Sequence, residues 1–258
     1  MDPVAPGFAY GFGLFETMKL AGGRLCFWSA HWARLRQSAD ALGLDCGYAE
    51  GAVLDAIRSL VRAESLSDGT IKLSLFADKL YVYSRPMLAA AGGPIALKLD
   101  ASCPINERSR LAGHKTHNYM ENFLLLQGCR RAGYFDVLRV NTAGYLGETT
   151  VGNLFIVRGG RLYTPSLDAG ILPGVVRGAV LAAARQGNVD AVEALLLPEQ
   201  LRSAEAVFMT NSSGGILPVE AVLVDGEAIF SCAGAAHPVV EDLVRWLADA
   251  EKKDSIVI

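Results

Sequence analysis

The stretch Ala112-Gly-His-Lys115-Thr-His-Asn118-Tyr119-Met-Glu-Asn122 leads, 25 residues later, into Gly147-Glu148-Thr-Thr-Val-Gly-Asn153-Leu-Phe155. Lys115 stands just ahead of an apolar helical run (Met120, Phe123, Leu124, Leu126 and then Gln127), and Glu148 is a lone carboxylate after a strand-like segment over residues 135–141. Taken singly, a lysine reads as a solvated surface charge and Glu-Thr-Thr as turn chemistry. Taken together, they place an amine and an anion at two element boundaries. That pair suits pyridoxal phosphate, which takes up an amine as a Schiff base and needs an anion to keep its ring nitrogen protonated.

Upstream, residues 15–20 alternate and contain Phe15-Glu16-Thr17, and Gly22-Gly23 predicts a hairpin turn before a short second strand. Ser29 is the expected N-cap of a helix stopped by Gly43, with Trp32, Leu35, Ala39 and Leu42 on its buried face. His31 and Arg34 lie three apart and so are neighbours on that helix. As a phosphate ligand Arg34 would pair bidentately; otherwise it is a solvated charge. A second helix is expected over 52–63, and a hairpin over 71–84 around Ala77-Asp78-Lys79. A strand is expected over 95–100 after the soft Ala-Ala-Ala-Gly-Gly run. Residues 101–117 show no convincing element. The expected division is a smaller α+β domain at 1–100, a linker at 101–114 and a larger domain at 115–258.

Downstream, strands are expected over 137–141, 154–157, 161–163, 192–196, 207–210 and 219–223, and helices over 175–185, 198–202 and 236–250. The first twelve residues read as an extended lead-in. Ile171-Leu-Pro-Gly174-Val175-Val176-Arg177 precedes a helix, where free N–H groups and the helix dipole can seat a phosphate. Thr210-Asn211-Ser212-Ser-Gly-Gly offers a second possible anion nest. Each of the two also reads as ordinary helix-start or turn chemistry. Gly11-Phe-Gly13 fails as a dinucleotide fingerprint, because no strand precedes it and no third glycine follows.

The bulk numbers exclude several classes. With 258 residues, half of them hydrophobic and a fifth charged, the chain is long enough for one large or two moderate cores. A net charge of -3 gives no reason to expect nucleic acid or an anionic membrane as partner. No apolar run reaches membrane-span length, and Met-Asp-Pro-Val does not open like a signal peptide. Five scattered cysteines without a Cys-x-x-Cys pair suggest neither a disulfide framework nor a metal site, so a cytoplasmic location is expected.

The order of these pieces is more telling than any one. Phe-Glu-Thr, His31-x-x-Arg34-Leu, Lys115-x-x-Asn118-Tyr119, Glu148 with Asn153 five on, Ile-Leu-Pro-Gly-Val-x-Arg and Thr-Asn-Ser closely resemble the class IV aminotransferases, the fold-type IV pyridoxal-phosphate enzymes. The resemblance covers nearly the whole chain. It implies an α+β protein of two α/β domains joined by a short linker with the cofactor between them, a homodimer, and a small-molecule amino substrate. It implies that Lys115 bonds the cofactor and shuttles the proton, that Glu148 pairs with the ring nitrogen, and that Tyr119 lies near the phenolic oxygen. Arg34, the N–H groups of Val175 and Val176, and Asn211 with Ser212 would hold the phosphate.

Departures accompany the match. The family's usual first strand and Asp-rich turn are not seen, its Gly-Asp-Gly reads Gly11-Phe12-Gly13, and Val176 stands where a threonine is common. The loop that often carries substrate-binding arginines is cut to Ala77-Asp78-Lys79, and the Arg/His pattern of a D-amino-acid enzyme is missing there, which leaves Arg85 as the candidate carboxylate clamp. Phe15-Glu16-Thr17 and Met209-Thr-Asn-Ser212 look most like the lyase branch, which turns 4-amino-4-deoxychorismate into 4-aminobenzoate and pyruvate, with Thr17 near the reacting carbon and Phe15 lining the pocket. Branched-chain and D-amino-acid aminotransferases are the alternatives, and a silent cofactor-binding homologue is the third.

Overall fold

Residues 13–21 alternate large apolar side chains with Phe, Glu, Thr and Lys, a period of two that suits a strand covered on one face. The protein was analysed as a computed structural model, which describes residues 5–77, 79–86, 95–232 and 237–258, apart from the Phe8 side chain. In chain order the first elements are α1 (Pro6–Tyr10), β1 (Gly13–Ala21), β2 (Arg24–Cys26), α2 (Trp28–Leu42), α3 (Glu50–Ala63), β3 (Gly69–Phe76), β4 (Lys79–Arg85) and β5 (Ile95–Ile105). Then come α4 (Met120–Arg131), β6 (Asp136–Asn141), β7 (Leu146–Thr149), β8 (Asn153–Arg158), β9 (Arg161–Pro165), α5 (Val175–Gln186) and β10 (Ala191–Ala194). The chain closes with β11 (Ala206–Asn211), β12 (Gly215–Val224), β13 (Glu227–Ser231), α6 (Pro238–Lys253) and β14 (Ser255–Val257).

The described residues form two compact units in an α+β fold. The first takes residues 5–86, 114–119 and 251–258. Its antiparallel sheet has the order β14-β2-β1-β3-β4. Leu14, Met18 and Leu20 of β1 and Ile71, Leu73 and Leu75 of β3 pack with Trp28, Trp32 and Leu35 of α2 and Ile57 of α3. All sit on one face of the sheet, as the alternation demands. The second unit takes residues 95–113 and 120–250. Its mixed sheet runs β10-β9-β8-β11-β12-β5-β6-β7, with β13 beside β12. Leu97, Leu138, Leu154, Ile156 and Met209 fill one side. Phe155 and Phe208, neighbours across β8 and β11, stack with centroids 4.9 Å apart. No helix among the described residues is long and apolar enough to cross a membrane.

Several expectations change. Residues 6–10 form α1 rather than an extended lead-in, with Gly11 in the left-handed conformation closing it. Helix α2 begins at Trp28 after Phe27 at φ 55°, so Ser29 lies inside it and caps nothing. The segment read as a linker contains strand: β5 continues through Ile105 and is parallel to β12 and β6, so it belongs to the second sheet although residues 95–100 were grouped with the first domain. Residues 114–119, read as the start of the second domain, belong to the first unit. The helix expected over 198–202 is a 3-10 helix, Pro198–Ser203, and β7 was not foreseen. Helix α4 forms as read, but Met120, Phe123 and Leu124 are mostly exposed. Asp78, the Ala-Ala-Ala-Gly-Gly run and Ala236 lie outside the described residues.

Candidate active site

The segment around Lys115 is tied to the start of β1 by its backbone. Phe15 N–H donates to the Lys115 carbonyl and His117 N–H to the Gly13 carbonyl, each at 2.9 Å, and Leu14 bridges Thr116. Gly13 is needed there for space: a Cβ would sit 2.6 Å from the Phe76 ring and 2.7 Å from the Leu75 carbonyl oxygen. His114, directly before the lysine, meets the Ser38 hydroxyl of α2 at 2.9 Å. Lys115 Nζ lies 4.4 Å from the Phe15 ring centroid and 5.6 Å from that of Tyr119. The rings of Phe15 and Tyr119 meet edge-on. The structure thus brings Phe15, Lys115 and Tyr119 together.

Phe15 points away from the apolar core, and Thr17, two residues on, shares its face. In register, Thr17 faces Lys72 of β3, which in turn faces Tyr83 of β4. Lys72 Nζ is 5.0 Å from the Phe15 ring centroid, and burial together with the charge of Arg85 pulls its pKa down. Arg85 lies over the Tyr83 ring, and the Tyr83 and Ser74 hydroxyls are 3.2 Å apart. Neither Lys72 nor Arg85 forms an ion pair among the described residues. Lys72 was missed in the sequence; its signal was a lysine among apolar residues on a half-buried strand. His117 also belongs here, stacked on Phe76 at 4.4 Å.

On the opposite face of β1 Glu16 is buried, although the alternation reserves that position for an apolar residue. It accepts from Arg34 Nε at 2.8 Å and Arg34 Nη2 at 2.6 Å, while His31 Nδ1 lies 2.7 Å away. Burial pushes the Glu16 carboxyl up, but the Arg34 charge and the bonds from both partners outweigh it and bring the pKa down to about 2. Burial, helped by the Arg34 and Lys115 charges, pulls His31 below its usual value despite Glu16, so the neutral ring donates Nδ1–H. Arg34 therefore meets Glu16 bidentately, and its Nε and Nη2 edges are engaged there. Glu16 was read only as part of a motif; its partnership was not seen.

In the second unit Glu148 is the penultimate residue of β7. Its Oε2 accepts from Asn153 Nδ2 at 2.8 Å, and the same nitrogen donates to the Leu172 carbonyl at 2.9 Å. The turn between β7 and β8 is closed by Thr149, whose N–H and hydroxyl both donate to the Gly152 carbonyl. Buried Asp136 accepts from the Val137, Thr150 and Val151 N–H groups, and burial pushes its pKa up. Helix α5 starts at Val175 after Gly174, with no side-chain cap on its first turn, so its leading N–H groups keep the polarity that suits an anion. Val176 is buried and can offer only backbone. Asn211 Oδ1 accepts from the Ser213 and Gly214 N–H groups and so shapes its own turn. Thr210 Oγ1 is buried with no hydrogen-bond partner among the described residues.

Residues 13–222 match the profile of the family described as Amino-transferase class IV. The D-alanine aminotransferase of Bacillus licheniformis is 24% identical over 257 residues, spanning 95% of this chain and 89% of that protein. The branched-chain-amino-acid aminotransferase of Escherichia coli (strain K12) is 26% identical over 212 residues, 74% of this chain and 69% of that one. The crystal structure of a putative 4-amino-4-deoxychorismate lyase from Legionella pneumophila superposes with a TM-score of 0.86 at 27% identity, covering 95% of this chain and 93% of that chain. A profile match that takes in Lys115, Glu148 and the entry to α5 in a single span means that the chain belongs to the class IV aminotransferases.

Proposed function

We propose that this enzyme uses pyridoxal phosphate to release pyruvate from 4-amino-4-deoxychorismate, leaving 4-aminobenzoate. The observation that carries the choice of substrate is the Phe15–Thr17 face of the first sheet. It presents two cations, Lys72 and Arg85, that form no ion pair among the described residues, and the substrate has two carboxylates. The likeness to the putative lyase structure at 27% identity supports the same reading.

The residues present fit the cofactor. Glu148 is held as an acceptor by an amide N–H, the first turn of α5 has no side-chain cap, and the buried Thr210 hydroxyl has no partner among the described residues. When bound, pyridoxal phosphate supplies an electron sink for the charge left at the amine-bearing carbon. Lys115 would remove the ring proton from that carbon, and Thr17, on the same face of β1 as Phe15, would serve the same step. Breaking the neighbouring C–O bond would leave its electron pair on the oxygen and expel the enolate of pyruvate, which takes up a proton to give pyruvate as the ring aromatises. Glu148 would keep the proton on the ring nitrogen, and Tyr119 would serve the phenolic oxygen. The Val175 and Val176 N–H groups, Asn211 and Ser212, and the part of Arg34 not engaged by Glu16, would hold the phosphate. The family resemblance supports a homodimer, and the unpaired cysteines support a cytoplasmic location.

Purified, cofactor-loaded protein is expected to release pyruvate catalytically from 4-amino-4-deoxychorismate with no 2-oxo acid added. No release, with L- or D-amino acids converting the cofactor to its amine form, would replace the lyase by an aminotransferase. Lys72→Ala is expected to raise KM about 10- to 100-fold, the range for losing a charged hydrogen bond, with a smaller change in kcat. Steady-state kinetics checks this; an unchanged KM removes Lys72 from substrate binding.

A further inference from the structure

Asn153 is 4% exposed, and its amide nitrogen has two acceptors, the Glu148 carboxylate and the Leu172 carbonyl. An amide nitrogen has two N–H groups, so both are used. Turning the amide over would set its oxygen against two acceptors, which fixes the orientation. The oxygen then faces Gly174. A Cβ on Gly174 would lie 1.9 Å from Asn153 Oδ1 and 3.1 Å from Asn153 Cγ. Gly174 has φ -63° and ψ 135°, a conformation open to any residue, so glycine is required there for room and not for its backbone freedom.

One side chain therefore touches two elements of the candidate site and stands at the start of a third. Asn153 orients the carboxylate at the end of β7 and pins the Leu172–Gly174 turn from which α5 starts. It opens β8, paired in register with Thr210, which leads into the Asn211–Ser212 turn. We propose that Asn153 is a positioning residue that locks the Glu148 carboxylate to the entry of α5, with Gly174 kept small to let it do so. The proposal rests on the reading above, in which Glu148 serves the ring nitrogen and α5 the phosphate. Asn153 itself touches neither substrate nor cofactor in this role; it acts through Glu148 and the turn.

The test is the equilibrium dissociation constant of the apo-protein for pyridoxal phosphate and for pyridoxamine phosphate, followed by intrinsic fluorescence, with melting of each apo-variant as a folding control. Asn153→Ala is expected to weaken both about tenfold or more, the scale for a hydrogen bond to a charged group. Gly174→Ala is expected to weaken them at least as much. Once Asn153 is alanine only a 3.3 Å contact with Arg177 Cβ remains, so Gly174→Ala should then add much less than it does alone. Full additivity of the two, or an unchanged constant in Asn153→Ala, overturns the proposal. Asn153→Asp keeps the size and gives a second readout. Two carboxylates side by side repel, so binding should be weak near about pH 8 and recover toward about pH 6, as a shared proton restores the bond. A pH profile parallel to the wild type counts against the lock. Glu148→Gln separates the two levels: loss of affinity there without loss in Asn153→Ala sinks the lock alone, whereas no change in Glu148→Gln sinks the Glu148 assignment and the lock with it.

Discussion

Lys115→Ala is expected to cut turnover by at least about 10⁴-fold, the upper range for losing a positioned proton-transfer group, while leaving the fold in place. The loss should be chemical, because the contacts that hold this segment come from the backbone. The Lys115 carbonyl, the His117 N–H and the Thr116 bridge attach it to β1, and His114 attaches it to Ser38. Alanine keeps all of them and removes only the amine that lies between Phe15 and Tyr119. The visible absorbance of lysine-bound cofactor should vanish with activity, and the melting temperature should barely move. A variant that keeps turnover within tenfold of the wild type would mean that another base does the work.

The second large effect is on stability. Glu16→Gln is expected to destabilise the first unit by about 3–5 kcal/mol, because it removes the buried carboxylate that the Arg34 guanidinium meets bidentately. Chemical denaturation of both proteins checks this, and a difference below about 1 kcal/mol contradicts it, since that is the scale of an exposed pair. The same ion pair predicts a pH dependence with a definite sign. The Glu16 carboxyl falls from 4.5 in the unfolded chain to about 2 in the fold, so its contribution is complete above 4.5. It is lost as the pH drops from there toward 2, and is worth about 3 kcal/mol. His31, depressed from 6.5, acts in the same direction, because protonating it on the way down favours the unfolded chain. Glu16→Gln should therefore flatten the acid limb of the stability curve below pH 4.5.

Much of the candidate site could be read from the order of its motifs, because backbone geometry ties each to a local feature: a lysine ahead of α4, a carboxylate at the end of β7, a Pro-Gly entry to α5. What stayed hidden depends on contacts distant in sequence. Glu16 looks like one charge in an alternating strand until α2 sets His31 and Arg34 against it. Asn153 shows its purpose only when the 172–174 turn folds beside β7. The unit boundaries escaped for the same reason. Residues 101–105, Ala-Ser-Cys-Pro-Ile, have no alternation and include a proline, yet β5 runs on through a register shift after Asp100 until Ile105 pairs with Asn141 of β6. Residues 114–119 join the first unit through hydrogen bonds to β1, a strand about a hundred positions earlier. Helix α2 begins one residue ahead of Ser29 because Phe27 takes the left-handed turn that local capping rules assign to glycine or asparagine.

The most direct measurement is to load the protein with pyridoxal phosphate, reduce it with borohydride, digest it and locate the phosphopyridoxyl group by mass spectrometry. The expected result is one modified residue per chain, on the peptide containing Lys115, and none in Lys115→Ala. Modification of a different lysine, or no stable attachment in a protein that still binds the cofactor, would contradict the role given to Lys115 and with it the chemistry built on that residue.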